Sequence, residues 1–257
     1  MSRTLTAFDH GKAFIPFLTC GDPDLETTAA LVRAMAQAGA DLIELGIPFS
    51  DPTAEGPVIQ QANVRALAGG VTTDKIFDMV RQLRRDVSIP LAFMTYANVV
   101  FSYGSEAFIR ACADLGVDAL ILPDVPLEER DEFAPLCQRY GVDLISLIAP
   151  TSADRVDTIA RQAQGFLYTV SSLGVTGVRS QIEADVSEMV RRVRANSACP
   201  CAVGFGISTP EQARQMAAQA DGVIVGSAIV QLVAQHGRDA APHVADYVRA
   251  MKRAIAQ

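Results

Sequence analysis

The sequence predicts an α/β fold in which eight short parallel strands, each followed by helix, close into a barrel. Three observations lead there. Eight apolar runs of 5–6 residues recur along the 257-residue chain. The stretches between them carry the apolar spacing of helices, and glycine recurs where a helix hands over to the next run. Runs this short and this apolar suit strands buried on both faces. Strict alternation of strand and helix implies a parallel sheet covered by helices. Eight such units favour a single-domain (β/α)8 TIM barrel with extra helices, occupying residues 1–257. An open sheet stays an alternative at this point, because periodicity does not record closure.

The runs fall at 14–19, 41–46, 90–95, 118–122, 143–148, 166–171, 200–205 and 221–225. Between the first two, 26–37 places Leu31, Val32 and Met35 on one helical face. After the second, 73–85 opens on Asp74 and carries Ile76, Met79, Val80 and Leu83. Ser152 is placed to cap the helix that follows the fifth run. Gly39, Gly116 and Gly141 stand where helices end. Three of these handovers repeat a theme: Ala-Gly-Ala-Asp at 38–41, Leu-Gly-Val-Asp at 115–118 and Tyr-Gly-Val-Asp at 140–143.

Composition narrows the function. The chain is 49% hydrophobic and 20% charged, with a formal net charge of −7, an ordinary globular balance. It has no basic block and no stripe of aromatic and basic residues, which argues against a nucleic-acid partner. Residues 1–12 lack the apolar core of a signal peptide, and no apolar run approaches the ~18 residues of a membrane helix. A cytoplasmic protein with no membrane partner is expected. The five cysteines, Cys20, Cys112, Cys137, Cys199 and Cys201, are scattered. Cys199-Pro-Cys201 lacks the spacing of a zinc or dithiol site, so reduced thiols are expected.

Barrel chemistry sits where strands end and the following loops begin. Glu44 lies within the second run, alternating with Leu42 and Gly46. A carboxylate there is costly unless it is paired or functional. It is either half of an ion pair with an arginine or an acid/base with a raised pKa. Glycine turns after the last three runs, Gly174-Val175-Thr176-Gly177, Gly204-Phe205-Gly206 and Gly226-Ser227, let backbone N–H groups approach an anion. A helix opening at Ser227 would add its dipole, so these turns point to a phosphate ester. The proline-rich, acidic loop after the second run is either a solvated surface loop or a lid and partner contact that brings Asp51 or Glu55 over the barrel mouth.

Absences limit the mechanism. The three lysines, Lys12, Lys75 and Lys252, avoid the strand ends, which disfavours a Schiff-base aldolase. His10, His236 and His243 lack ligand spacing, so no metal site is expected. No dinucleotide fingerprint follows the first run. What remains is cofactor-free acid–base chemistry by carboxylates, with Tyr168 in the sixth run as a further candidate, on a small phosphorylated molecule.

The stretch Glu-Leu-Gly-Ile-Pro-Phe-Ser-Asp-Pro-Thr-Ala-Glu-Gly-Pro (44–57) resembles the signature of tryptophan synthase alpha subunits. The resemblance continues in order along nearly the whole chain, through Pro16-Phe17-Leu18-Thr19 with Gly21-Asp22-Pro23, Tyr96-Ala97-Asn98, Pro123-Asp124-Val125-Pro126, Ser171 with the 174–177 turn, and Gly204-Phe205-Gly206-Ile207-Ser208. It implies retro-aldol cleavage of indole-3-glycerol phosphate to indole and glyceraldehyde 3-phosphate, a lyase step of tryptophan biosynthesis. It implies that Glu44, Glu55 and Tyr168 are catalytic. Phe17 and Met94 fall on indole-pocket positions, and Thr176, Gly177, Phe205, Gly206, Gly226 and Ser227 are the other substrate-binding positions. Pro48, Asp51 and Pro52 fall where the family meets its beta subunit. The implied assembly is an alpha2beta2 tetramer, with pyridoxal phosphate held only by the partner beta subunit and no cofactor in this chain. Two positions depart from the pattern: Glu55 stands where aspartate is usual, and Met94 where leucine is common. Other phosphate-binding barrels are the nearest alternatives, namely a sugar-phosphate isomerase or an indole-glycerol-phosphate synthase, of which the second is expected to carry strand-end lysines. A catalytically weak barrel that mainly activates a beta subunit is the non-enzymatic alternative.

Overall fold

The computed structural model describes residues 2–149, 152, 155–170, 179–204 and 206–256, with backbone alone at 179–185. Strands β1 (Ala13–Thr19), β2 (Ile43–Gly46), β3 (Leu91–Met94), β4 (Ala119–Ile121), β5 (Asp143–Ile148), β6 (Leu167–Val170), β7 (Cys201–Gly204) and β8 (Gly222–Val225) follow one another around a closed barrel. Neighbouring strands are parallel, and β8 returns to β1 with Ala13 opposite Gly222 and Pro16 opposite Val225. Closure removes the sheet edges that the open alternative would leave.

The surrounding helices are α1 (Leu25–Gln37), α2 (Pro57–Ala68), α3 (Thr73–Leu83), α4 (Ala97–Tyr103), α5 (Ser105–Leu115), α6 (Ala134–Tyr140), α7 (Val156–Arg161), α8 (Arg179–Asn196), α9 (Pro210–Ala217), α10 (Ser227–His236) and α11 (Ala240–Ile255). One helix follows most strands; β2, β3 and β8 are each followed by two, which supplies the expected extra helices. None of the described helices is long and apolar enough to cross a membrane.

Side-chain size closes the barrel interior. Ala13, Ala92, Ala119 and Ala202 face inward beside Ile15, Leu42, Ile121, Ile145, Phe166 and Ile224. Small residues on some strands make room for larger ones on others, as close packing requires. A short 3-10 helix, Arg3–Phe8, plugs the lower end, its Phe8 ring 5.8 Å from Phe166. The outward faces, such as Phe14, Leu18, Ile43, Leu45 and Phe93, pack under the helices.

The repeated glycine-then-aspartate theme has a structural reason. Asp41 N donates to Phe14 O (3.0 Å), and Phe14 N donates back to Asp41 Oδ2 (2.7 Å). Asp118 and Leu91 repeat the exchange at 2.8 and 2.9 Å. Asp221, outside the repeated motif, makes the same pair of bonds with Cys201, at 2.8 and 2.9 Å. The aspartate thus satisfies an amide that the lower end of the ladder would leave open. Asp143 differs, accepting instead from the Ser2 and Thr4 hydroxyls.

Ser152 does not cap the following helix. That helix begins at Val156, with Arg155 as N-cap and no side-chain capping bond. Ser152 Oγ instead accepts from Ala149 N (3.3 Å), and its carbonyl accepts from Arg155 N (2.7 Å). The hydroxyl is used one turn earlier, at the end of β5.

Candidate active site

Glu44 lies in β2 with its side chain wholly buried. Among the described residues neither carboxyl oxygen has a hydrogen-bond partner, and none of them supplies the arginine of an ion pair. Burial alone pushes its pKa up to about 8, because an apolar setting disfavours the charged form. Around neutral pH the side chain is therefore mostly a neutral acid. Its register neighbours are Phe17 on β1 and Ala92 on β3. Tyr168 on β6 also lies close: burial first, and then the Glu44 charge, push its phenol well above the usual tyrosine range.

Two glycines make this arrangement fit. A Cβ on Gly46 would come within 2.6 Å of the Phe17 ring, and one on Gly204 within 2.8 Å of the Tyr168 ring. Each strand end thus gives up a side chain so that an aromatic ring can lie beside Glu44. Gly204 also opens the Gly-Phe-Gly turn that points to an anion, and its missing side chain seats Tyr168 as well.

Glu55 reaches the site from the loop between β2 and α2. Its Oε2 accepts from Asn63 Nδ2 on α2 (2.6 Å), and its carbonyl accepts from Gln60 Nε2 (2.8 Å). Ala54 N donates to Tyr96 Oη (3.1 Å), and the Phe49 ring packs 5.2 Å from Tyr96. Burial raises the Glu55 pKa, and hydrogen bonds with Asn63 and Tyr96 partly offset the rise. The tyrosine itself is pushed up to about 12, first by burial. The loop is thus fastened to the barrel rim rather than free in solvent. Tyr96 and Asn63 carried no site assignment from sequence, since the loop that makes their contacts folds back only in three dimensions. Their signal is faint: a buried asparagine on the inner face of α2 and a tyrosine just beyond β3.

A cavity of about 920 Å³ opens over the barrel mouth. Glu55, Met94 and Tyr168 border it on one side, and Asp124, Arg130 and Ser146 on another. Glu44 and Phe17 are buried beneath its edge rather than forming its walls. Phe17 packs with Ala62, Val230 and Met94, so α2 and α10 both close on this ring.

Helix α10 begins directly after Gly226, with Ser227 its first residue. A Cβ on Gly226 would lie 3.3 Å from Phe17, which puts this helix N-terminus next to the aromatic floor. The N-cap Gly226 has no side chain to cap that terminus, a setting that suits an anion. Gly206 adopts a φ of +74° just beyond β7. Thr176, Gly177 and Phe205 lie outside the described residues. In the β2–α2 loop Pro48 is buried, Pro52 half-buried and Asp51 exposed, the last accepting a hydrogen bond from Ser50 Oγ. Among the described residues no group of three or more His, Cys, Asp or Glu side chains is placed to hold a metal ion. Lys12 and Lys252 are at the opposite, lower end, bonded to Ala220 O and Asp41.

Comparison with known proteins agrees along the whole chain. Residues 5–256 match the family model described as tryptophan synthase alpha chain. Curated tryptophan synthase alpha chains from Lactiplantibacillus plantarum and Lacticaseibacillus casei are 50% and 48% identical; each match covers 99% of this chain and 97% or 96% of the relative. The solved alpha subunit from Legionella pneumophila superposes with a TM-score of 0.90 at 38% identity, covering 100% of this chain and 99% of that one. A chain of the tryptophan synthase complex from Pyrococcus furiosus gives 0.85 at 32% identity, covering 95% of this chain and 99% of that one.

Proposed function

The chain belongs to the tryptophan synthase alpha chain family, and on that premise we propose that Glu44 is the acid and base that splits indole-3-glycerol phosphate into indole and glyceraldehyde 3-phosphate. The observation that carries this reading is a strand carboxyl with no partner among the described residues and a pKa of about 8.

Cleavage needs a proton delivered to indole C3 and another removed from the side-chain hydroxyl. Protonation of C3 places positive charge on the ring nitrogen. Loss of the hydroxyl proton then forms the aldehyde, and the C–C bond electrons return to the ring to give indole. Glu44 donates the first proton as a neutral acid and takes the second as a carboxylate, so it ends as it began. A pKa near the working pH suits both halves of that cycle.

Glu55, held by Asn63, accepts a hydrogen bond from the ring N–H and stabilises the cation. Tyr168 keeps its proton and positions Glu44 and the ring. Phe17 and Met94 sandwich the indole. The amide groups at Gly226 and Ser227, with Gly206 and the turns at Gly177 and Phe205, hold the phosphate, and Thr176 belongs to the loop over it. This fixes the substrate in register and removes entropy from the reaction. The exposed part of the β2–α2 loop, Asp51 with Pro52 and the adjoining Pro48, contacts a beta subunit in an alpha2beta2 assembly. Pyridoxal phosphate belongs to that partner, and the carbon–carbon cleavage rests on this chain's own carboxyls.

The test is indole release from indole-3-glycerol phosphate by the purified protein, alone and with a beta subunit. Glu44→Gln is expected to lose roughly 10²–10⁴-fold in kcat. Turnover of Glu44→Gln within twofold of the parent would remove Glu44 from the role.

A further inference from the structure

We propose that the lobe of the mouth cavity around Arg130 is a second anion subsite, one that takes the carboxylate of a small apolar acid. Arg130 sits on a short 3-10 helix, Leu127–Glu132, that follows β4. It is only 9% exposed, yet it borders the cavity. Its guanidinium donates to Ser146 Oγ and to Leu144 O, the latter at 3.0 Å. Both acceptors are neutral, and Arg130 forms no ion pair with a carboxylate among the described residues. A guanidinium has five N–H donors in a planar fork, so two bonds leave most of them available. A buried charge without a counter-charge is costly, and a bound anion would remove that cost.

The rest of the lobe states what kind of anion fits. Leu122, Val125, Leu127, Leu147 and Ile159 give it apolar walls. Arg155 adds a second guanidinium at the wall, already bonded to Glu128 at 2.8 and 3.0 Å. Asp131 lends Arg130 partial charge compensation, and Asp124 and Glu55 border the same cavity. The lobe therefore suits a monoanion with an apolar body over a multiply charged phosphate, which these carboxylates would repel. The proposed substrate phosphate has its own place at Gly226 and Ser227, across the barrel beside β8. The paired Arg84 shows the contrast: it also lies in the chain's interior layers, but it is bonded to Asp118.

Phenylacetate is the probe, and its neutral amide the control. Calorimetry on the intact protein is expected to show saturable binding of phenylacetate, with the amide at least tenfold weaker. Arg130→Gln is expected to weaken phenylacetate at least tenfold while KM for indole-3-glycerol phosphate stays within twofold. If Arg130→Gln fails to fold, Leu127→Trp, which narrows the lobe from its rim, carries the same expectation. Equal binding of acid and amide, no saturable binding to the parent protein, or unchanged binding by both variants overturns the proposal. Turnover of indole-3-glycerol phosphate in the same preparations keeps this outcome separate from the catalytic reading.

Discussion

The two ends of the barrel treat a buried carboxylate in opposite ways. At the lower end Asp118 accepts from Leu91 N (2.9 Å), pairs with Arg84 (2.7 Å) and lies 3.1 Å from Arg3. Burial still holds its pKa above the ordinary aspartate range, but the amide and the two guanidiniums pull it back. At the upper end Glu44 has burial and no such offset. The cause is the same and the counterweights differ. One carboxylate is held as an ion that joins a strand to a helix, and the other is held as an acid with a proton to give. Burial by itself therefore does not single out a carboxyl as a catalytic candidate; burial without compensation does.

Substitutions at both ends would sharpen this contrast. Glu44→Gln, which should carry the largest loss of activity, is expected to keep stability within about 1 kcal/mol below the ordinary glutamate pKa, where the parent carboxyl is neutral in both states, and to exceed the parent as pH rises. Asp118→Ala should do the reverse. It leaves Arg84 and the Leu91 amide without their partner and is expected to cost about 2–4 kcal/mol in urea unfolding, with kcat nearly unchanged. If Asp118→Ala lost activity at full stability, the division between the two ends would fail.

Glu55 tests whether the comparison extends to the loop. Its pKa is raised by burial as at Glu44, but Asn63 and Tyr96 offset it as Leu91 and Arg84 do at Asp118. Held by Asn63, it is placed as a hydrogen-bond acceptor whose role substitution can test. Glu55→Ala is expected to lower kcat about 10²-fold, whereas Glu55→Asp should retain activity within about tenfold, the loop absorbing the lost methylene. Steady-state kinetics on the pair decides it; a silent Glu55→Ala would move the role to another carboxylate at the mouth, such as Asp124.

A smaller effect is expected at Gly204. An alanine Cβ would meet the Tyr168 ring at 2.8 Å, so the ring must shift away from Glu44. We expect a stability cost of about 1–2 kcal/mol and a several-fold loss in kcat, read by unfolding and kinetics together. Unchanged kcat would mean that the position of Tyr168 does not matter to the reaction.

Much of this plan was legible from residues alone. The eight apolar runs and the helical spacing between them specify alternating strands and helices, because periodicity is a local property; closure is seen only in the structure. Glu44 stood out because a carboxylate amid Leu42, Ile43 and Leu45 has no cheap explanation. The contacts of Glu55 were not legible: Asn63 is eight residues away on a helix and Tyr96 lies on another strand's end, and only the closed loop brings them together. Ser152 misled because capping depends on where a turn begins, not on residue type. The use of Gly204 in seating Tyr168 was not legible, because the ring it makes room for comes from a neighbouring strand.

Glu44 is expected to hold its proton near neutral pH. Its folded pKa is raised, so the stability this permits is fully present below the ordinary glutamate pKa and is lost as pH rises toward 8. Glu44→Gln should flatten that slope. The direct measurement is the titration of the Glu44 carboxyl, by infrared difference spectroscopy of the parent protein against Glu44→Gln. A protonated carboxyl band that persists at pH 7 and disappears with a midpoint near 8 is the expected result. A midpoint in the usual glutamate range, with no protonated band at pH 7, would contradict it.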